Sequence, residues 1–129
     1  MNKEKQIIKT IISGWARAVK ERNIDNILLN HSADIVMFDV PPPFEITGIN
    51  DYRKTWEESF FTGTEPGIFE IDDLKIEAGA NIAFCIAKMK CSVNNNGVYE
   101  DLNFRLTIGL KKIDGQWMIV HEHHSIPAA

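Results

Sequence analysis

Three titratable side chains in this sequence have the types and spacing that acid–base chemistry needs. His121 and His123 lie two residues apart in an apolar segment, and on a β-strand that spacing places both imidazoles on one face. Imidazole is the side chain whose unperturbed proton equilibrium lies closest to neutral pH. Asp39 ends a short apolar segment just before three prolines, where a strand has to leave its sheet. These three residues are therefore the candidate catalytic groups.

Each candidate also has an ordinary structural explanation. A buried imidazole left unpaired costs roughly 1–3 kcal/mol, so a core histidine bonded to a backbone carbonyl is an alternative for either ring. Asp39 is alternatively a turn or helix-cap carboxylate in water. Two histidines that point inward together favour a polar pocket, and a partly desolvated aspartate at its mouth would suit a general base. The sequence indicates no third ligand for a metal held by the two imidazoles, so no metal site is predicted.

Helical periodicity predicts the elements that precede and follow Asp39. Apolar residues at helical spacing predict a first helix that carries Ile8, Ile12, Trp15 and Val19 on one face. Asn23 is typical of a helix N-cap and predicts a short second helix from Ile24 to Asn30. His31-Ser32-Ala33 breaks that pattern, residues 34–39 predict a strand, and a third helix is expected from Asn50 to about Phe61.

The second half of the chain predicts an antiparallel sheet. Four strands are expected over residues 68–78, 80–93, 98–112 and 116–126. Asn96-Gly97 and Asp114-Gly115 separate the last three, and both dipeptides favour two-residue hairpin turns. Helices followed by a long sheet define an α+β domain, with the helices on one face of the curved sheet.

These turns also predict which residues share a face. With two-residue loops, Met89 lies opposite Phe104 and Leu106 lies opposite His123, and directly opposed residues share a face. The apolar face then carries Ala83, Cys85, Ala87, Met89, Cys91, Leu102, Phe104, Leu106, Ile108, Leu110, Ile119, His121, His123 and Ser125. The other face carries Lys88, Lys90, Arg105, Thr107, Glu122 and His124. One extra residue would reverse the parity of the last strand.

Length and composition limit the classes of function. A chain of 129 residues predicts one domain, 1–129, and 44% hydrophobic with 25% charged residues is typical of a globular protein. The net charge of -4 argues against nucleic-acid binding. No membrane span or signal peptide is recognised, so a cytoplasmic location is expected. Cys85 and Cys91 are expected to be core thiols, and with no nucleotide or phosphate motif the protein is expected to need no cofactor.

Three parts of the chain resemble the nuclear transport factor 2-like superfamily. They are residues 34–39, Gly48 ahead of the Trp56 helix, and the final segment from Asp114-Gly115-Gln116-Trp117 to His123-His124-Ser125-Ile126-Pro127. The most similar members are SnoaL-like and ketosteroid isomerase-like proteins. The resemblance covers nearly the whole chain. It implies a cone-shaped (cystatin-like) α+β fold, in which a curved antiparallel sheet wraps three N-terminal helices around a deep pocket, commonly in a homodimer.

The same resemblance implies roles for single residues. Asp39 falls where ketosteroid isomerases place the aspartate that abstracts the proton α to a carbonyl. Trp15 stands in the helical region that supplies a tyrosine there, and Phe104 stands at the position of the second aspartate, where it cannot donate a hydrogen bond. Scytalone dehydratase-like members use histidines with an aspartate, which is nearer to the residues of this chain.

We therefore expect a cofactor-free isomerase, dehydratase or cyclase in which Asp39 and His121 or His123 act as an acid–base pair. A small apolar or aromatic substrate would contact Trp15, Tyr52, Trp56, Met89, Phe104 and Ser125. The alternatives are non-catalytic binding of a small molecule and a protein-association module. Apolar residues expected on the outer sheet face favour a homodimer through that face, namely Phe84, Ile86, Met118 and Val120. No nucleic acid or membrane partner is expected.

Overall fold

Three helices precede or interrupt the first strands of the chain. The structure, a computed structural model, describes residues 2–59, 68–95 and 98–128. Helix α1 covers Asn2–Glu21, α2 covers Ile24–Ile27, and α3 covers Ile49–Lys54 and continues as a π-helical turn over Thr55–Ser59. The apolar face predicted for the first helix is buried. The predicted end of the third helix near Phe61 lies outside the described residues.

Helix α2 begins as the sequence predicts and ends earlier. The Asn23 side chain accepts a hydrogen bond from the backbone N–H of Asn26 at 3.1 Å, which confirms the N-cap. The helix stops at Ile27, three residues before the predicted end. Asn30 adopts a left-handed backbone with φ of 59°, a conformation that a helix cannot continue through. The early stop brings the chain directly into the first strand.

Six strands form one sheet in the order β2-β1-β6-β5-β4-β3. Their bounds are His31–Phe38 for β1, Ile46–Thr47 for β2, Phe69–Ala78 for β3, Ile82–Asn95 for β4, Val98–Ile113 for β5 and Gln116–Ser125 for β6. The predicted α+β class, a curved sheet with N-terminal helices, is confirmed, and so are the four long strands.

The first strand departs from the sequence expectation in two ways. It begins at His31 and not at Asp34, so residues 31–33, which break the helical pattern as predicted, belong to the strand. It also runs parallel to β6, with Met37 beside Glu122 and Phe38 beside His123. The sheet is therefore mixed at this one junction, whereas the resemblance implies an antiparallel sheet.

The predicted register is correct up to the middle of the last hairpin. Met89 lies opposite Phe104, and Ile113 lies opposite Gln116 across the Asp114-Gly115 turn, whose two residues both have positive φ. Leu110 then faces Ile119, but Gly109 faces His121, so Val120 has no opposing residue. This β-bulge adds one residue to β6 and reverses its parity. The prediction that His121, His123 and Ser125 face the core is therefore wrong.

The core lies between the helices and the inner sheet face. Cys85 and Cys91 are buried thiols within it, as expected. The face residues of β6 are exchanged relative to the prediction, since Glu122 and His124 are buried while His123 is exposed. None of the helices in the described residues is long and apolar enough to cross a membrane.

Candidate functional site

Glu122 is the centre of a buried polar cluster that the bulge turns inward. Its side chain is fully buried, and its carboxylate receives three hydrogen bonds. The Tyr52 hydroxyl donates to Oε2 at 2.7 Å, His31 Nε2 lies 3.1 Å from the same oxygen, and His124 Nε2 lies 3.2 Å from Oε1. A buried carboxylate is tolerated only when it is paired and hydrogen-bonded in this way.

His124 connects this carboxylate to Asp39. The parallel pairing of β1 with β6 places Phe38 beside His123, so the next residue on each strand, Asp39 and His124, come together. His124 Nδ1 lies 3.5 Å from Asp39 Oδ1, and the Asp39 side chain is 14% exposed. The imidazole therefore stands between two carboxylates, one buried and one partly open to solvent.

The two carboxylates determine the charge of the ring between them. Burial lowers the pKa of His124, but the hydrogen bonds to Asp39 and Glu122 outweigh it and raise that pKa to about 9. Burial likewise raises the pKa of Glu122, while hydrogen bonds from His124 and His31 lower it to about 2. At neutral pH, His124 is an imidazolium and both of its N–H groups point at carboxylate oxygens.

Helix α3 supplies the donor on the far side of Glu122. Burial, followed by the charge of Glu122, raises the pKa of Tyr52 well above its ordinary value, so its hydroxyl stays protonated and donates. Trp15 Nε1 donates in turn to the Tyr52 oxygen at 3.0 Å. The chain of hydrogen bonds thus runs from Asp39 through His124, Glu122 and Tyr52 to Trp15 on α1.

Aromatic rings lie on the helix side of the polar cluster. Trp15, Trp56 and Phe69 meet edge to face, with centroid distances of 5.4–6.2 Å, and the Tyr52 ring contacts Trp56 at 6.1 Å. Met89 and Phe104 are also buried on the inner sheet face. Five of the six residues predicted to contact a substrate are therefore in the interior, and the exception is Ser125.

The two histidines predicted as acid–base groups lie on the other side of the sheet. His121 is half-buried and its Nδ1–H donates to the backbone oxygen of Val36 at 2.7 Å, while the Phe38 ring contacts both imidazoles edge to face. His123 is exposed. The imidazole that lies next to Asp39 is that of His124, because the bulge at Val120 gives this residue the inward position.

Sequence reasoning missed three members of the cluster, and one signal for them was present. Gly109 stands in the interior of β5, and a glycine inside a strand commonly marks a bulge or a close approach. A Cβ at that position would lie 3.5 Å from the His121 Cβ. His31 carried no such signal, since its role depends on a carboxylate 91 residues away.

Metal binding is another role that histidines and carboxylates can have in such a cluster. Within residues 2–59, 68–95 and 98–128, no group of three or more histidine, cysteine, aspartate or glutamate side chains could hold a metal ion. The nitrogen atoms of His124 already face Asp39 and Glu122. The arrangement is suited to holding and moving protons.

The fold and the inward polar cluster define a member of the nuclear transport factor 2-like superfamily. More narrowly, the chain belongs to the SnoaL-like domain family, whose model matches residues 8–129. None of the curated proteins matches the chain.

Solved structures similar to the chain agree with this assignment. An NTF2-like protein of unknown function from Pseudomonas putida is 28% identical, with a TM-score of 0.90 over 98% of this chain and 89% of that one. A ketosteroid isomerase-like protein from Erwinia carotovora atroseptica is 19% identical, with a TM-score of 0.81 over 97% of each chain. A putative calcium/calmodulin dependent protein kinase II association domain from Xanthomonas campestris is 18% identical, with a TM-score of 0.77 over 95% of this chain and 87% of that one. The last two likenesses establish the fold alone.

Proposed function

We propose that the protein binds a small apolar or aromatic molecule and moves a proton on it without a cofactor, as an isomerase, dehydratase or cyclase does. The observation that carries this proposal is the line of Asp39, His124 and Glu122, in which a partly exposed carboxylate is backed by a buried, charged ring. Perturbed titratable groups that meet in an apolar interior are typical of acid–base sites.

Asp39 is the group that touches the substrate in this proposal. Its Oδ1 accepts the backbone N–H of Val40 at 2.8 Å and faces His124, whereas Oδ2 has no partner among the described residues. Oδ2 removes a proton from the substrate and returns it to a second atom of the same molecule, so no oxidant or reductant is required. His124 is a positioning residue, because both of its nitrogen atoms face protein carboxylates.

The remaining residues of the polar cluster stabilise the charges of Asp39 and His124. Glu122 holds the His124 imidazolium, and Tyr52 and His31 hold Glu122. The buried side chains of Trp15, Trp56, Met89 and Phe104 would provide the apolar surroundings for the substrate. An environment of this kind strengthens the interaction between fixed charges and a reacting proton.

Proton abstraction from 5-nitrobenzisoxazole tests this role, since that compound opens to a coloured phenolate after the loss of one proton. The wild-type protein should accelerate the reaction above buffer, and Asp39→Asn should lose about 100-fold or more of that rate. Asp34→Asn is the matched control, because Asp34 is exposed on the same strand. Equal rates for wild type and Asp39→Asn would overturn the catalytic assignment. A wild type no faster than buffer would leave the alternative of non-catalytic binding.

A second candidate function is protein association, in the form of a homodimer through the outer sheet face. Phe84 and Ile86 are 47% and 50% exposed there, and one similar structure is named an association domain. Exposed apolar clusters of this kind commonly mark interfaces. Sedimentation should give a dimer at micromolar concentration and a monomer for Phe84→Glu, with Val98→Glu as the exposed control. A monomeric wild type would exclude this function.

A cytoplasmic location belongs to the same set of proposals. It is supported by Cys85 and Cys91, which are separate buried thiols, as expected where the surroundings keep cysteine reduced. Fractionation of the source cells would test it, with a cytoplasmic enzyme as the marker.

A further inference from the structure

A groove crosses the outer face of the sheet, on the side away from the helices and from the buried polar cluster. It encloses about 660 Å³ across β3, β4, β5 and β6, a volume within the range of small-molecule sites. Leu74 and Ile86 form its apolar part, next to Ala87, whose side chain is buried in the core. The other lining side chains, apart from the carboxylate of Asp73, are hydrogen-bond donors, namely Lys75, Lys88, Arg105, Thr107, His123 and Ser125.

The charge of this groove is opposite to that of the whole chain. The protein carries a net charge of -4, yet Lys88 and Arg105 lie directly opposite each other on β4 and β5. Like charges in directly opposed positions destabilise a sheet. Lys75 adds a third cation in the same groove. Repulsion between neighbouring cations, which lowers stability locally, is expected at a site where those cations bind a ligand.

Arg105 is held in a position that suits an oxyanion. Its Nε–H donates to Ser125 Oγ at 3.0 Å across β5 and β6, and this bond orients the plane of the guanidinium. The two terminal amino groups make no hydrogen bond or ion pair with the described residues. A guanidinium fork with free N–H groups binds carboxylate or phosphate oxygens in pairs.

Asp73 is the only acidic residue among the described residues that line the groove. Its backbone has a φ of 54°, at an irregularity of β3, and its carboxylate lies 3.2 Å from Lys88 Nζ. Both side chains of this ion pair are mostly exposed, so the pair is weak. The ammonium group of Lys88 is therefore paired with the Asp73 carboxylate, which an incoming anion can displace.

We propose that this groove binds the oxyanion group of a small molecule, a phosphate or a carboxylate, with Arg105 as the anchor. Lys88 and Lys75 add charge, and the hydroxyl groups of Thr107 and Ser125 lie on the same wall. The non-polar part of the ligand lies on Leu74 and Ile86. The sheet separates this site from Asp39, so the proposal is independent of the proton-transfer function. Because Ile86 lines the groove, this site and a homodimer through Ile86 are alternative uses of the outer sheet face.

An NMR titration of the ¹⁵N-labelled chain tests the proposal, with inorganic phosphate and benzoate added in turn at constant ionic strength. Saturable shifts are expected at the Arg105 Nε–H and at the backbone amides of Thr107 and Ser125. Arg105→Gln should weaken binding at least tenfold. Asp73→Asn should strengthen it several-fold, because Lys88 loses its competing partner. Tighter binding of phosphate or of benzoate identifies which oxyanion the groove prefers.

Lys90→Gln is the control for overall charge, since Lys90 is exposed on the same strand, two residues beyond Lys88, and does not line the groove. Its affinity should stay within twofold of wild type. The proposal is overturned if Arg105→Gln binds both anions like wild type, or if Lys90→Gln weakens binding equally. Shifts that spread over all lysines without saturation would also overturn it, because they describe a non-specific ion atmosphere.

Discussion

Glu122 is the buried carboxylate on which hydrogen bonds of the polar cluster converge. It is fully buried and its two oxygens face Tyr52, His31 and His124. Removal of one partner from a buried ion pair leaves the other charge uncompensated, which costs far more than the intact pair contributes. The stability of the interior therefore depends on this carboxylate, and the charge of His124 depends on it together with Asp39.

Glu122→Gln should lower the free energy of unfolding at pH 7 by roughly 3–5 kcal/mol. The amide is nearly the same size, but it cannot compensate the His124 imidazolium, so the pKa of His124 should also fall. Urea denaturation measures the first effect and histidine NMR the second. Glu100→Gln, at an exposed position on β5, is the control and should change neither. An unchanged His124 pKa in Glu122→Gln would show that the two side chains are not coupled.

The sequence identifies some residues of this cluster and not others for a physical reason. Asp39 is recognisable because a carboxylate that follows an apolar strand and precedes three prolines lies where the chain leaves the sheet. His31 and Tyr52 are recognisable only once Glu122 is known to point inward, since their partners are 91 and 70 residues away. Hydrogen bonds between distant residues leave no local pattern in a chain.

At the scale of elements, the one residue inserted at Val120 determines that Glu122 and His124 lie on the inner face of β6. Turn residues specify how a hairpin starts, and here Asp114-Gly115 correctly gives Ile113 opposite Gln116. A bulge at Val120, four residues after Gln116, leaves the turn unchanged and reverses the parity of everything beyond it. Strand positions up to Ile119 are therefore predictable from the turn, whereas those from His121 onward also require the position of the bulge.

The short helix α2 leads the chain into β1, so its cap contributes to the placement of His31. His31 Nδ1 bonds the backbone oxygen of Leu29 at 2.8 Å, just beyond that helix. Asn23→Ala removes the acceptor for the Asn26 N–H and should lower the free energy of unfolding by about 1 kcal/mol. Asn26→Ala, exposed on the same helix, keeps its backbone N–H and serves as the control in urea denaturation. A loss as large in Asn26→Ala would mean that the cap is not the cause.

At the scale of the whole molecule, the overall charge gives little information about where charges act. A net charge of -4 excludes a broad cationic surface, yet the sheet separates two regions of opposite character. Asp39 and Glu122 bring negative charge to the inner side, and Lys88 and Arg105 bring positive charge to the outer groove. Composition predicts the class of protein, while the distribution of charge depends on strand parity.

Stability should vary with pH in a way that the inner charges determine. The pKa of His124 is raised from 6.5 to about 9 in the folded chain, so its contribution is complete below pH 6.5 and is lost as the pH rises through 9. The pKa of Glu122 is lowered from 4.5 to about 2, so its contribution is complete above pH 4.5 and is lost as the pH falls towards 2. Their joint contribution to folding is largest between these limits.

The free energy of unfolding should therefore fall by up to about 3 kcal/mol between pH 6.5 and 9, the linkage value of the His124 shift. Urea denaturation at half-unit pH steps measures this slope. His124→Gln removes the titrating ring and should flatten it, even though the variant is less stable at pH 6. His123→Gln replaces an exposed histidine on the same strand and should keep the slope. If His124→Gln retained the wild-type slope, another group would be responsible, and the charged ring between Asp39 and Glu122 would lose its support.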